Sequence, residues 1–267
     1  VCSRCPMNPS DLSRSVVTPG NHDGVHLGHR ALISTARDLA ARSGLSTMGM
    51  CFDPHPTSVL APDRAPVLLT PMARRVELMR GAGCDDVAVL AFDRDFAQTS
   101  PESFVRRVLV ERCRARAVVV GPDFHFGSKR TGNVETLRAL GREHSFSVTV
   151  VRPVLFEGDP VSSTRVRRVL AEEGDVVAAA RMMTRVHDVE GEVVLGDQRG
   201  RTIGFPTANL RLGEVQLPAD GVYAVAVSVT GGDGQRLLGV ANLGQRPTFG
   251  AGRSVEVHLF DFDGRVA

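Results

Sequence analysis

Residues 16–29 constrain this chain more than any other stretch. Val16-Val17-Thr18 reads as a short strand, Pro19-Gly20-Asn21-His22-Asp23-Gly24 as a turn, and His26-Leu27-Gly28-His29 stands at the head of a long helical pattern. Strand, glycine turn and helix, in that order, form the phosphate-binding layout of open α/β sheets. Two imidazoles three residues apart on a helix share one face. The first-turn amides have no intrahelical partner and carry the positive end of the helix dipole. Donors so arranged suit a triphosphate, and Gly28 leaves room for a phosphate or ring to approach the backbone. Paired histidines are common in ordinary surfaces and cores; the flanking strand and helix are what favour a site here. A zinc set of His22, His26 and His29 is the weaker reading, because no Cys or Glu nearby completes four ligands.

The alternation continues. Apolar periodicity predicts a helix over 29–43, with Leu32, Ile33, Ala36 and Leu39 on one face, then a strand over 46–52. A helix over 71–81, a strand over 86–92, a helix over 101–112 opening on Pro101, and an apolar strand over 117–120 follow. A helix over 133–144 and a strand over 147–153 complete a pattern that argues for a parallel sheet flanked by helices. Two further helical stretches, to about 173 and over 176–183, lead to a change of pattern. From Val186 onward short β-rich runs (189–195, 221–229, 237–241 and 254–262) are separated by turns such as Gly231-Gly232-Asp233-Gly234. Such spacing fits a small antiparallel barrel or sandwich. The boundary falls near Thr184, dividing the chain into residues 1–184 and 185–267.

Length and composition agree with two folded domains: 267 residues, 42% hydrophobic and 23% charged. A net charge of +2 gives no reason to expect nucleic acid or a membrane as partner. No apolar stretch is long enough to span a bilayer, and residues 1–15 lack the apolar core of a signal peptide. Five scattered cysteines, with Cys2 and Cys5 an isolated pair, suit a reduced cytoplasmic protein. Trp is absent and Tyr223 is the only tyrosine, so aromatic stacking falls mostly to Phe.

Three further segments complement the histidines. Phe52-Asp53-Pro54-His55-Pro56 follows the second strand, where open α/β sheets bind ligands. A glycine-flanked loop, Gly121-Pro122-Asp123-Phe124-His125-Phe126-Gly127, ends another strand and runs into Ser128-Lys129-Arg130, which holds the only lysine. Charged donors there could meet phosphate oxygens. In Val161-Ser162-Ser163-Thr164-Arg165-Val166-Arg167, hydroxyls stand at a helix N-cap with two arginines beside them, a second anion site by the same physics.

These segments together, in this order, resemble the adenylyltransferase domain of bacterial bifunctional riboflavin kinase/FAD synthetases. The histidine motif alone would indicate only the wider nucleotidyltransferase superfamily. The resemblance implies a Rossmann-like N-terminal domain in which His26 and His29 bind ATP phosphates and stabilise charge as pyrophosphate leaves. Arg167 joins them in that role. Gly20, Asn21, Gly28, Ser163, Thr164 and Arg165 are expected to contact ATP, and Asp53 and Asp123 the flavin. Where this chain has His22, the family usually has Phe.

In the second domain, Thr207 and Asn209 are two apart, so on an extended segment they point the same way, and both offer hard oxygen ligands. On an alternating strand Glu256 and His258 share one face. Residues 196–210, Gly221-Val222-Tyr223, 239–249 and 255–262 are similar to the riboflavin kinase barrel, an antiparallel fold of six strands. By that resemblance Gly204 meets ATP, Thr207 and Asn209 hold Mg²⁺ with ATP, and Glu256 is the base for the riboflavin 5′-hydroxyl. Two departures stand out. Thr184-Arg185-Val186-His187-Asp188 replaces the family's usual Gly-Arg-Pro-Tyr. The family continues past the Glu256 strand with more barrel strand and a C-terminal helix, so the kinase domain is expected to be incomplete at its C-terminus.

The implied activities are phosphorylation of riboflavin to FMN and adenylylation of FMN to FAD, with ATP as substrate, Mg²⁺ as cofactor, and riboflavin, FMN and FAD as the other ligands. Two alternatives stay open from sequence: an adenylyltransferase with an inactive kinase domain, and a flavin- or nucleotide-binding regulator without turnover.

Overall fold

The computed structural model describes residues 14–194, 206–229, 235–245 and 253–262. Contacts divide them into two compact units: residues up to Ser163 with Met182–Thr184, and Thr164–Arg181 with the residues from Arg185 onward.

The first unit is built on a parallel sheet of β1 (Ser15–Pro19), β2 (Ser46–Asp53), β3 (Asp86–Ala91), β4 (Ala115–Val120) and β5 (Ser147–Val150), in the order β3-β2-β1-β4-β5. Between the strands run α1 (Leu27–Ser43), α2 (Pro56–Leu60), α3 (Met72–Ala82), α4 (Arg94–Ala97), α5 (Pro101–Phe104) and α6 (Val134–Glu143). Helix α5 continues as a π-helix over Val105–Arg112. Burial on both faces explains the apolar strand runs. Val16, Ala117 and Val119 pack with Ala36 and Ala40 of α1 on one side. Val17, Val118 and Val120 pack with Phe104, Leu109 and Leu137 on the other. Helix α1 stops at Gly44, whose left-handed backbone (φ 62°) lets its N–H reach the Ala40 carbonyl. Strand β1 lies between β2 and β4, where the strand order reverses, and such a switch point leaves a crevice at the carboxyl ends.

A hairpin of β6 (Leu155–Phe156) and β7 (Asp159–Pro160) leads to α7 (Ser163–Arg168), extended through Val169–Glu173, and to α8 (Val176–Met183). The second unit's sheet comprises β8 (Gly191–Val194), β9 (Ala208–Leu212), β10 (Gly221–Ser228), β11 (Arg236–Gln245) and β12 (Arg253–Leu259). All pairings are antiparallel, in the order β10-β11-β12-β9-β8. Among the described residues it has five strands where the resemblance implies six. Its inner face gathers Ala241, Leu243, Val255 and Val257, with Tyr223, Val225 and Val227 of β10 against them. The alternating Val222, Ala224 and Ala226 are exposed. Leu170, in the stretch after α7, accepts the Ala219 N–H through its carbonyl at 2.8 Å.

The strand and helix alternation matches the expectation, with local differences. Strand β11 runs beyond 241 because Leu243 continues the inward alternation past the polar Asn242. Strand β9 and the 155–160 hairpin are too short to carry a periodic signal. Cys51, Cys84 and Cys113 are buried free thiols, each pushed up to about 12 by burial. Cys2 and Cys5 lie outside the described residues.

Candidate active sites

The loop after β1 is held by a buried ion pair. Asp23 meets Arg75 of α3 at 3.0 Å, with side chains 2% and 1% exposed. The Asp23 carboxylate also accepts the Leu69 and Thr70 N–H groups and the Thr70 hydroxyl. Arg75 donates further to the Asn21 and Thr70 carbonyls. This network fixes a strained loop. His22 (φ 49°) and the β-branched Val25 (φ 42°) both occupy the left-handed region. Gly24 (φ 83°) has no space for a side chain, since a Cβ would lie 2.8 Å from Leu69 Cδ1.

The loop delivers His26 to the N-cap of α1 rather than onto the helix. Its backbone is extended (φ −72°, ψ 175°), and its carbonyl accepts the Arg30 N–H. No side chain caps the first turn, which leaves amide donors available to an anion. The His26 and His29 rings stack at 3.6 Å and 20°. The space that Gly28 opens is bounded by the His26 ring, 3.2 Å from where a Cβ would stand. His22 lies edge-on to His29, with centroids 5.0 Å apart. Its Nε2 donates to the Thr18 carbonyl at 3.1 Å. Burial pulls His22 down to about 4; the Thr18 bond opposes this, and Arg75 adds to it. Burial, then His26, His22 and Arg75, hold His29 well below the usual imidazole range. Both rings are therefore neutral near pH 7, and His29 Nδ1 has no partner among the described residues.

Gly20 and Asn21 lie in the same loop. The Asn21 amide stands 3.0 Å from His55 Nε2. The Asn21 atom at that distance is the amide nitrogen Nδ2, and His55 Nδ1 accepts the Thr57 N–H. Ser163 donates to the Asp23 carbonyl at 2.8 Å, tying the start of α7 to the loop. Its hydroxyl is thus engaged by backbone. Thr164 is exposed, and Arg165 and Arg167 are half-buried on α7.

The sequence alone does not reveal the cavity in the first unit, of about 570 Å³. Its wall is a connected run of phenyl rings. Phe52 contacts Phe92 and Phe96, Phe96 contacts Phe104, Phe104 contacts Phe126, and Phe126 stacks on Phe124 at 5.5 Å. Arg94, Lys129 and Arg130 also line it. Asp53 and Asp123 are exposed and do not line it; each is the neighbour of a phenylalanine that does. Flat apolar walls with a few polar groups suit a planar aromatic ligand.

In the second unit, Asn209 of β9 is the direct cross-strand partner of Glu256 on β12. Asn209 is 8% exposed, whereas Thr207, just before β9, is exposed. Asn209 and Glu256 thus share one face of adjacent strands, and Thr207 precedes Asn209 by two residues. That donor set fits Mg²⁺, which takes hard oxygen ligands and keeps waters and phosphates for the rest. Gly204 lies outside the described residues.

A family model for FAD synthetase matches residues 8–165, and one for riboflavin kinase matches residues 183–267. The bifunctional riboflavin kinase/FMN adenylyltransferase of Escherichia coli (strain K12) is 40% identical over 248 residues, covering 92% of this chain and 78% of that protein. That of Pseudomonas fluorescens is 39% identical over 251 residues, covering 93% and 79%. A solved structure described as a macrolide-efflux protein from Streptococcus pneumoniae superposes with a TM-score of 0.85 at 31% identity, covering 97% of this chain and 84% of that one. Among the described residues here, no helix is long and apolar enough to cross a membrane.

Proposed function

Because the chain belongs to the bifunctional riboflavin kinase/FMN adenylyltransferase family, we propose that the residues described above divide between two consecutive ATP-dependent reactions, riboflavin to FMN and FMN to FAD. The adenylyl transfer is assigned to the first turn of α1. An oxygen of the FMN phosphate attacks the α-phosphorus of ATP. The bond from that phosphorus to the bridging oxygen breaks, and pyrophosphate leaves. His26, His29 and the α1 amides donate to the phosphates, while Ser163, Thr164, Arg165 and Arg167 match the family's second phosphate-binding segment. Gly20, Gly28 and Asn21 shape the loop around the nucleotide. Such transfer depends on positioning and charge stabilisation more than on covalent chemistry.

The uncapped first turn faced by stacked imidazoles carries this reading. The acceptor follows from the phenylalanine cavity, which takes the isoalloxazine ring, with Asp53 and Asp123 as polar contacts at its margin. In the kinase step Glu256 accepts the proton of the riboflavin 5′-hydroxyl, whose oxygen attacks the γ-phosphorus of ATP and releases ADP. Thr207 and Asn209 hold Mg²⁺, which neutralises triphosphate charge when bound.

The test is direct. Purified protein is incubated with Mg²⁺-ATP and either riboflavin or FMN, and the products are separated by chromatography. FMN and FAD from riboflavin, and FAD from FMN, are expected. FAD from FMN alone would remove the kinase assignment, and no product from either substrate would remove both.

A further inference from the structure

Strand β9 carries Asn209 and follows Thr207, yet its start is weakly held by the sheet. The pairing with β12 runs only through Leu210, Asn209 and Ala208, opposite Val255, Glu256 and Val257. Pro206 has no N–H to give to a ladder. One contact reaches further: His258 Nδ1 lies 2.9 Å from the Pro206 carbonyl. A carbonyl only accepts, so Nδ1 carries the proton and donates. His258 is two residues beyond Glu256 on β12 and shares its face. The ring of Phe260 packs edge-on against it at 5.9 Å.

We propose that His258 is a positioning residue for the kinase site, its Nδ1–H clasping the Pro206 carbonyl and so holding Thr207 on the face that presents Asn209 and Glu256. The inference rests on the assignment of that face to the kinase reaction. Thr207 is bonded directly to the clasped residue. Among the described residues, Thr207 lies beyond the last laddered pair, next to the clasped carbonyl. Groups that orient a ligand typically change metal affinity or activity 10- to 100-fold when removed.

Two variants separate the N–H from the ring. His258→Phe keeps a flat ring and removes the donor, whereas His258→Asn places an amide N–H near the Nδ1 position. Calorimetric binding of Mg²⁺-ADP should weaken about tenfold in His258→Phe and stay within about threefold of wild type in His258→Asn. Hydrogen exchange of the β9 amides, measured without nucleotide, should quicken in His258→Phe alone. FAD formation from FMN should be unchanged in both, as expected for a change confined to the kinase face, and a wild-type circular dichroism spectrum shows that each variant is folded. Equal weakening in both variants, or wild-type affinity and exchange in His258→Phe, would overturn the clasp. Glu256→Gln and Thr207→Ala are measured alongside. Full riboflavin phosphorylation in those two would refute the kinase assignment itself, a result distinct from failure of the clasp.

Discussion

Asp23 and Arg75 are 52 residues apart in sequence and meet at 3.0 Å, both nearly sealed from solvent. The pair does more than link two segments, because the Asp23 carboxylate also gathers the Leu69 and Thr70 amides. The loop carrying His22 and His26 is thereby set before any ligand arrives. Breaking a buried pair by removing one partner leaves an uncompensated charge. Asp23→Ala should therefore cost about 3–5 kcal/mol of stability in urea unfolding. A loss below about 1 kcal/mol, the range of an exposed pair, would contradict this account.

The neutral state of His22 gives a pH dependence with a definite sign. Its folded value, about 4, lies below the ordinary 6.5. The stabilisation is present above pH 6.5 and is lost as pH falls toward 4, because the unfolded chain takes up the proton first. His29 is shifted in the same direction and adds to the slope. His22→Phe removes one contributor. Between pH 7 and pH 5 the variant should lose about 2 kcal/mol less stability than wild type. Parallel pH profiles of the unfolding free energy for the two proteins would count against a neutral, buried His22.

His29 and Glu256 are assigned to different reactions, so their variants should split the activities. His29→Ala is expected to abolish FAD formation from FMN and to spare FMN formation from riboflavin. Glu256→Gln is expected to do the reverse, with loss of about 10²- to 10⁴-fold in the kinase step, the usual contribution of a general base. Product chromatography with each substrate measures both. Loss of both activities in a folded single variant would refute independent sites.

These assignments differ in how far the sequence discloses them. The strand, turn and helix at 16–29 are legible because apolar periodicity and glycine punctuation are local signals. The Glu256 and Asn209 pairing is half legible. Alternation puts Glu256 on a face, but the register that brings Asn209 opposite it depends on strand pairing across 47 residues of chain. Nothing near Arg75 marks it as a partner of Asp23; it reads as one more arginine in an arginine-rich helix. The cavity is the least legible feature. Its six phenylalanines come from separate segments between residues 52 and 126, each unremarkable alone. The scarcity of Tyr and Trp could only say that stacking would fall to Phe. The helix is expected from residue 29 and begins at Leu27 with His26 at its N-cap position, because apolar periodicity does not mark where the first turn starts.

The cavity supplies the last prediction. Phe124 is half-buried, stacks on Phe126 at 20° between ring planes, and forms part of the wall. It is not among the buried side chains of the core, whereas Phe126 and Phe104 are. Truncating it should remove ligand contact while leaving the fold intact. An aromatic contact contributes about 0.5–1.5 kcal/mol beyond its buried area. With the area included, Phe124→Ala should raise KM for FMN about tenfold in the adenylyl transfer. KM for ATP should stay near its wild-type value, because the nucleotide is assigned to the first turn of α1. The measurement is steady-state FAD formation with each substrate varied in turn. Equal increases in both KM values would show that Phe124 supports the whole site instead of the flavin ring.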